Sequence, residues 1–184
     1  SRTAVVDDEP ITRMDLSEML GELGFEMVGS ASDGFDAVEL CRNRRPDVVL
    51  MDIRMPIFDG LSAAETILAE ELAGCVVLLT AFSSPEFIER ANRIGVTGYL
   101  VKPVEQRLLL PTLEVALAQS RRLRQSRQET AEARRQLEDQ KLIQRAQALV
   151  SQEEGISESE AYHRIQKMAM DKRTSMAVLA RALV

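Results

Sequence analysis

The chain is short of the residues that most metal, redox and membrane chemistry needs. It has no tryptophan, one histidine, two cysteines and two tyrosines in 184 residues. Cys41 and Cys75 stand in no CxxC pair and His163 is the lone imidazole, so a zinc site lacks ligands. Both thiols are expected to be buried and reduced, and His163 to be a helix-surface or half-buried residue. No apolar run approaches the roughly 18 residues a membrane span requires, and no signal-like segment opens the chain, so a cytoplasmic protein without membrane contact is expected. Neither proline nor glycine occurs between Thr112 and Glu154, a stretch that can therefore run as one helix.

What the first hundred residues hold is four short apolar runs, each ending on a polar side chain. They are Ala4-Val5-Val6 before Asp7-Asp8, Val48 to Met51 before Asp52, Val76 to Leu79 before Thr80, and Gly98 to Val101 before Lys102. Uninterrupted β-branched and aliphatic runs suit strands buried on both faces of a parallel sheet. Parallel strands collect their C-terminal residues at one edge, where open α/β sheets place their ligands. Three carboxylates gathered there repel one another unless a cation sits among them. Hard oxygen donors with room for water suit Mg²⁺. A carboxylate beside Mg²⁺ and a lysine is equipped to attack a phosphoryl group.

The motifs VVDDEP at 5–10, LMDIRMPIFDG at 50–60, LLTAF at 78–82 and GYLVKP at 98–103 resemble the receiver domain of bacterial response regulators, over residues 1–118. The resemblance implies Asp52 as phosphoacceptor, with Mg²⁺ held directly by Asp8 and Asp52, through water by Asp7, and by the backbone carbonyl of Arg54. It implies that Thr80 and Lys102 receive the phosphoryl oxygens, that Tyr99 is the switch aromatic and that Lys102–Pro103 is cis. The donor would be a sensor histidine kinase, and the chain an acceptor rather than an enzyme. Helices are expected near Ile11–Leu23, Phe35–Asn43, Leu61–Leu72, Pro85–Ile94 and Glu105–Ala118, with Pro111 arguing that the last starts late. Strands and helices alternating in this way give a flavodoxin-like α/β fold, a five-stranded parallel sheet in the order 2-1-3-4-5, which the receiver family itself exemplifies.

The net charge of −6 hides a split. Residues 1–118 carry 20 acidic and 10 basic side chains, whereas residues 119–184 carry 9 acidic and 13 basic. The second part is suited to a polyanion and the first should repel one. Residues 119–141 read as a helical linker whose seam, Ala116, Leu123, Thr130 and Leu137, repeats at seven but has mostly polar companions, a weak coiled coil. A solvated single helix is the other reading.

Residues 142–184 carry three apolar stripes at helical spacing: Leu142, Ile143, Ala146, Leu149 and Val150; Ala161, Ile165, Met168 and Ala169; Met176, Leu179, Ala180 and Leu183. Gly155-Ile156-Ser157 separates the first two, with Ser157 and Glu160 as a capping box, and Asp171–Thr174 forms a turn before the third. A small all-α three-helix bundle follows. The runs KLIQRAQALV at 141–150 and SESEAYHRIQKMAMDKRTSM at 157–176 resemble the ANTAR domain, an RNA-binding module that antiterminates transcription by stabilising hairpins in nascent leader transcripts. Gln147-Ala148 stands where that family usually has Lys-Gly. Past Ala118 the only aromatic is Tyr162, so RNA contact would rest on Arg145, Arg164, Lys167, Lys172 and Arg173, with Tyr162 as a stacking platform and Thr174 and Ser175 adding hydroxyls. The implied protein is a response regulator that forms a homodimer on phosphorylation and binds hairpin RNA. A DNA-binding output, or a phosphate shuttle or dimerising adaptor, are the rival readings.

Overall fold

A computed structural model describes residues 1–81 and 85–184; Phe82 of the LLTAF motif lies outside the described residues. Two compact units emerge, Ser1–Arg124 and Gln125–Val184. The first contains β1 (Arg2–Val6), α1 (Pro10–Glu22), β2 (Glu26–Ala31), α2 (Gly34–Arg44), β3 (Val48–Asp52), α3 (Gly60–Ala69), β4 (Cys75–Thr80), α4 (Pro85–Ile94), β5 (Gly98–Val101) and the start of α5 (Gln106–Glu154). The strands form one parallel sheet in the order β2-β1-β3-β4-β5, as expected.

The apolar runs of β1, β3 and β4 form strands because both of their faces find cover, whereas edge strand β5 buries only Leu100. Successive residues alternate between two cores: Ala4, Val6, Val49, Met51, Val76 and Leu78 pack with α2, α3 and α4, while Val5, Val48, Leu50, Val77 and Leu79 pack with α1 and α5. Edge strand β2 has no such run. Only Ala31 of its six residues is buried, and its register against β1 shifts between Thr3 and Ala4.

Two boundaries differ from expectation. Helix α3 stops at Ala69 rather than running to Leu72. Glu71 takes a left-handed φ of 55°, its N–H bonds to the Leu68 carbonyl, and the Leu72 N–H bonds to Ile67 at 2.8 Å. This Schellman ending is usually made with glycine, so Glu71 gave no signal. Helix α5 starts at Gln106, and Pro111 lies inside it rather than delaying it. Buried Leu109, Leu113, Ala116 and Leu117 hold the helix to the sheet, while Arg107, whose carbonyl loses its N–H partner to the proline, is exposed to water.

The second unit comprises the rest of α5, α6 (Glu158–Asp171) and α7 (Met176–Leu183). Its core is Ala146, Ile165, Ala169, Leu179 and Ala180, flanked by Leu142, Ile143, Val150, Met176 and Leu183. Ser157 caps α6, accepting from the Glu160 N–H at 3.1 Å, and Ser175 caps α7 by accepting from Val178. Met168, expected in the second stripe, is 40% exposed, leaving an i, i+4 stripe of Ala161, Ile165 and Ala169.

Candidate phosphoacceptor site and RNA surface

The C-terminal ends of β1, β3, β4 and β5 bring the expected side chains together. Asp7 follows β1 and is fully buried, Asp52 closes β3 at 6% exposure, and Thr80 closes β4. Carboxylate oxygens of Asp7, Asp8 and Asp52 lie within 4.8 Å of one another, with Asp8 the exposed member. The Lys102 ammonium, just past β5, donates to Asp7 Oδ2 at 2.6 Å and stands 3.3 Å from Asp52 Oδ2. Its backbone N–H donates to the Thr80 carbonyl at 2.8 Å, which ties the two strand ends. The Lys102–Pro103 peptide is cis. Asp52, Thr80, Lys102, Asp8 and Arg54 line one open cleft of about 270 Å³.

Burial pushes the Asp52 carboxyl above the ordinary carboxylate range, and the charge on Asp7 adds to the rise. Lys102 and the Arg54 N–H, 3.4 Å from Asp52 Oδ1, act in the other direction. Burial lowers the Lys102 pKa, but the hydrogen bond to Asp7 and the charges of Asp52 and Asp7 outweigh it, so the ammonium is held charged. Three carboxylates against one ammonium leave a charge of −2 in the cluster, the complement of one divalent cation. Hard oxygen donors open to water fit Mg²⁺.

The loop after β3 depends on a close approach. A Cβ on Gly60 would stand 1.9 Å from the Asp52 carbonyl oxygen, so only glycine lets α3 begin there. Asp59 caps that helix, accepting from the Ser62 N–H at 2.8 Å. Tyr99 is half-buried and its hydroxyl donates to α4, reaching Asn92 Oδ1 at 2.9 Å and the Ile88 carbonyl at 3.3 Å.

In the second unit Lys172 and Arg173 are exposed on the α6–α7 turn, where Arg173 has a left-handed φ of 53°. Thr174 is half-buried and bonds back to Ala169, and the Ser175 hydroxyl is engaged as the α7 cap. Arg145 and Lys167 are exposed, and Arg164 pairs with Glu154. Tyr162 is 38% exposed, its ring edge-on to His163. At about 100° per residue, Arg164 and Lys167 lie on the opposite flank of α6 from Tyr162, about 140–160° away. The structure therefore does not gather all eight candidates on one surface.

The family described as response regulator receiver domain matches residues 3–114, and the ANTAR domain matches residues 131–184. The transcriptional regulatory protein PdtaR of Mycobacterium tuberculosis is 42% identical over 183 residues, 100% of this chain and 89% of that protein. The chain is a response regulator with an ANTAR output. The chemotaxis protein CheY of Treponema pallidum is 34% identical over 118 residues, 63% of this chain and 82% of its own. Among solved structures, Vibrio cholerae CheY4 superposes with a TM-score of 0.60 at 30% identity, covering 63% of this chain and 98% of that one. The CheX–CheY–BeF3–Mg complex of Borrelia burgdorferi gives 0.58 at 26% identity, covering 61% and 85%.

The structure adds residues to the receiver site that its motifs did not single out. The Glu9 N–H donates to Asp7 Oδ1 at 2.9 Å, and Arg13 Nη1 donates to the Asp7 carbonyl at 2.6 Å, so the first turn of α1 fixes this buried aspartate from both ends. Phe87 of α4 lines the cleft beside Asp52. Pro10 at the start of α1 signals where the helix begins, but no local pattern marks Arg13 or Phe87, whose places depend on tertiary packing.

Proposed function

We propose that this response regulator is switched by phosphorylation of Asp52 and acts by binding hairpin RNA in nascent transcripts, so that transcription continues past a terminator. The observation that carries the switch is the meeting of Asp7, Asp8 and Asp52 with Lys102 at one sheet edge. A relative of the receiver is seen with BeF3 and Mg²⁺ in the Borrelia burgdorferi complex. Asp8, Asp52, Asp7 through water and the Arg54 carbonyl would hold Mg²⁺, which when bound neutralises charge on the transferring oxygens. An Asp52 carboxylate oxygen forms the new bond to phosphorus. The bond from phosphorus to the imidazole nitrogen of a sensor histidine kinase, or to the leaving oxygen of a small donor, breaks, and the donor keeps the electron pair. Lys102 and Thr80 take the phosphoryl oxygens. The chain is an acceptor, with at most slow loss of its own phosphoryl group, and not an enzyme acting on a separate substrate.

The output reading rests on the ANTAR match and on the exposed cations of the second unit. The turn with Lys172 and Arg173 suits phosphate contact, and Tyr162 suits stacking with an unpaired base. Phosphorylation favours a homodimer in this reading, through the receiver and the exposed linker. Asp52→Asn should abolish Mg²⁺-dependent labelling by acetyl phosphate with the fold retained; equal labelling of both proteins refutes the switch. Tight binding to duplex DNA without binding to hairpin RNA refutes the output.

A further inference from the structure

We infer that the receiver carries a second anion site at the sheet edge opposite Asp52, an arginine edge that binds backbone phosphates of single-stranded RNA adjoining the hairpin. This rests on the RNA reading of the output. Arg2 opens β1, and Arg44 and Arg45 close α2 just ahead of β3, so all three lie where the strands begin. Helix α5 reaches the same edge: Ser120 Oγ donates to the Gly74 carbonyl at 2.7 Å, immediately before β4. One turn on, Arg124 lies against Gly74, where a Cβ would stand 3.2 Å from Nη2 and 2.4 Å from the Asp47 carbonyl oxygen. Arg121 and Arg122 are exposed on the same turn of helix.

Six guanidiniums at this end face three carboxylates, Glu26, Asp47 and Glu71, so positive charge is in excess. The guanidiniums of Arg2 and Arg45 donate to backbone carbonyls, those of Arg45 at 3.1 Å and Glu71 at 2.9 Å. Among the described residues none of Arg2, Arg44, Arg45, Arg121, Arg122 and Arg124 forms an ion pair with a carboxylate. Asp47 Oδ2 accepts the Arg2 backbone N–H at 2.8 Å and keeps its charge at this edge, and Glu70 pairs with Arg42 at 3.5 Å. Glu26, level with Arg2 on β2, bounds the positive surface on that side. Three of the six arginines, Arg2, Arg44 and Arg45, are among the ten basic side chains of residues 1–118, and Arg121, Arg122 and Arg124 add three more from the following stretch of α5.

RNA is favoured over other polyanions by covalent linkage. Helix α5 joins this edge to the ANTAR domain, so a single-stranded tail long enough to reach it binds intramolecularly once the output holds the hairpin. A nascent transcript continues beyond its hairpin as flexible single strand, and guanidiniums take its phosphates without reading sequence.

Binding of the full chain, phosphorylated with acetyl phosphate and Mg²⁺, to a minimal hairpin and to the same hairpin with a single-stranded tail, across a salt series, tests the site. The tail should raise wild-type affinity at least tenfold. Arg44 and Arg121 are exposed and, among the described residues, their side chains form no hydrogen bond or ion pair, so R44Q/R121Q should keep minimal-hairpin affinity and cut the gain from the tail below threefold. The log–log salt slope for tailed RNA should flatten by about 1.4, two phosphates at about 0.7 each. A wild-type tail effect that is absent, or unchanged in R44Q/R121Q, overturns the arginine edge while leaving the output reading standing. Binding to phosphatidylglycerol vesicles without any tail effect assigns the edge to lipid and overturns it too. If the minimal hairpin itself does not bind wild type, the RNA reading fails and the edge with it.

Discussion

Adding one methyl group to Gly60 should damage this protein, and adding one to Gly21 should help it. A Cβ at Gly60 would lie 1.9 Å from the Asp52 carbonyl oxygen, 2.8 Å from its carbon and 2.9 Å from the Ile53 Cα, whereas ordinary contact begins near 3.4 Å. All three atoms belong to the buried backbone at the end of β3 and the residue after it, so no side chain can swing away to make room. Either α3 retreats by about 1.5 Å or β3 does. Retreat of α3 breaks the Gly60 N–H bond to the Ile53 carbonyl at 2.9 Å and strains the Asp59 cap on Ser62 at 2.8 Å. A hydrogen bond and a cap are each worth about 1 kcal/mol, and overpacking adds about 1–3 kcal/mol, so Gly60→Ala should cost about 3–5 kcal/mol. At Gly21, on an exposed turn of α1, a Cβ meets nothing within 4 Å, and Gly21→Ala should gain about 0.5–1 kcal/mol. Urea unfolding of both variants measures the two signs, and acetyl phosphate labelling of Gly60→Ala shows whether Asp52 has moved. A Gly60→Ala loss under about 1 kcal/mol with normal labelling would refute the close approach as the reason for this glycine.

Burial pushes the Cys41 thiol up to about 12 and Cys75 up to about 11. At pH 8 their thiolate fractions fall to about 10⁻⁴ and 10⁻³, so iodoacetamide should label neither until urea unfolds the receiver; rapid labelling of native protein contradicts this. Pro111→Ala restores an N–H opposite the Arg107 carbonyl inside α5 and should stabilise the receiver by about 1–3 kcal/mol, read as a higher urea midpoint. Ser157→Ala removes the α6 cap and should cost the second unit about 1 kcal/mol, visible as earlier loss of helical signal on heating.

The sheet and its site were legible because their signals are local and redundant. Each of β1, β3, β4 and β5 is an apolar run whose length and composition suffice, and the polar residue that ends it needs only the parallel arrangement to reach the cluster. Strand β2 had no such mark, since an edge strand with one buried residue can be written in glycine, serine and glutamate. The end of α3 was hidden for a different reason: Glu71 occupies a left-handed position that glycine usually signals. Pro111 misled in the opposite sense, because a local penalty was overridden by four buried side chains on the inner face of α5. Pairings across the fold, such as Arg13 with the Asp7 carbonyl or Arg164 with Glu154, depend on which elements become neighbours, and a linear pattern does not contain that.

The proposed dimer must draw on more than the linker seam. Ala116, expected to open that seam, is fully buried in the receiver core and cannot meet a partner. Thr130 is polar, which leaves Leu123 at 56% exposure and Leu137 at 53% as the apolar seam positions of each helix. Covering these half-exposed leucines in two chains stabilises a pair by about 4–6 kcal/mol. Association costs on the order of 4–15 kcal/mol in lost freedom, whereas a micromolar dimer needs a net of about −8 kcal/mol. The receiver offers further apolar surface for such a dimer, where Val101, Leu108 and Val115 are each about half exposed on β5 and α5. Tyr99 lies on β5 with its hydroxyl bonded to α4, so a movement of Tyr99 after phosphorylation would alter the border of that surface. A seam this weak makes pairing conditional: it adds to a receiver contact once formed and cannot hold two chains together in its absence. Coupling of about 1–3 kcal/mol from the phosphorylated site is then enough to decide the assembly, whereas a fully apolar heptad would dimerise regardless of the signal.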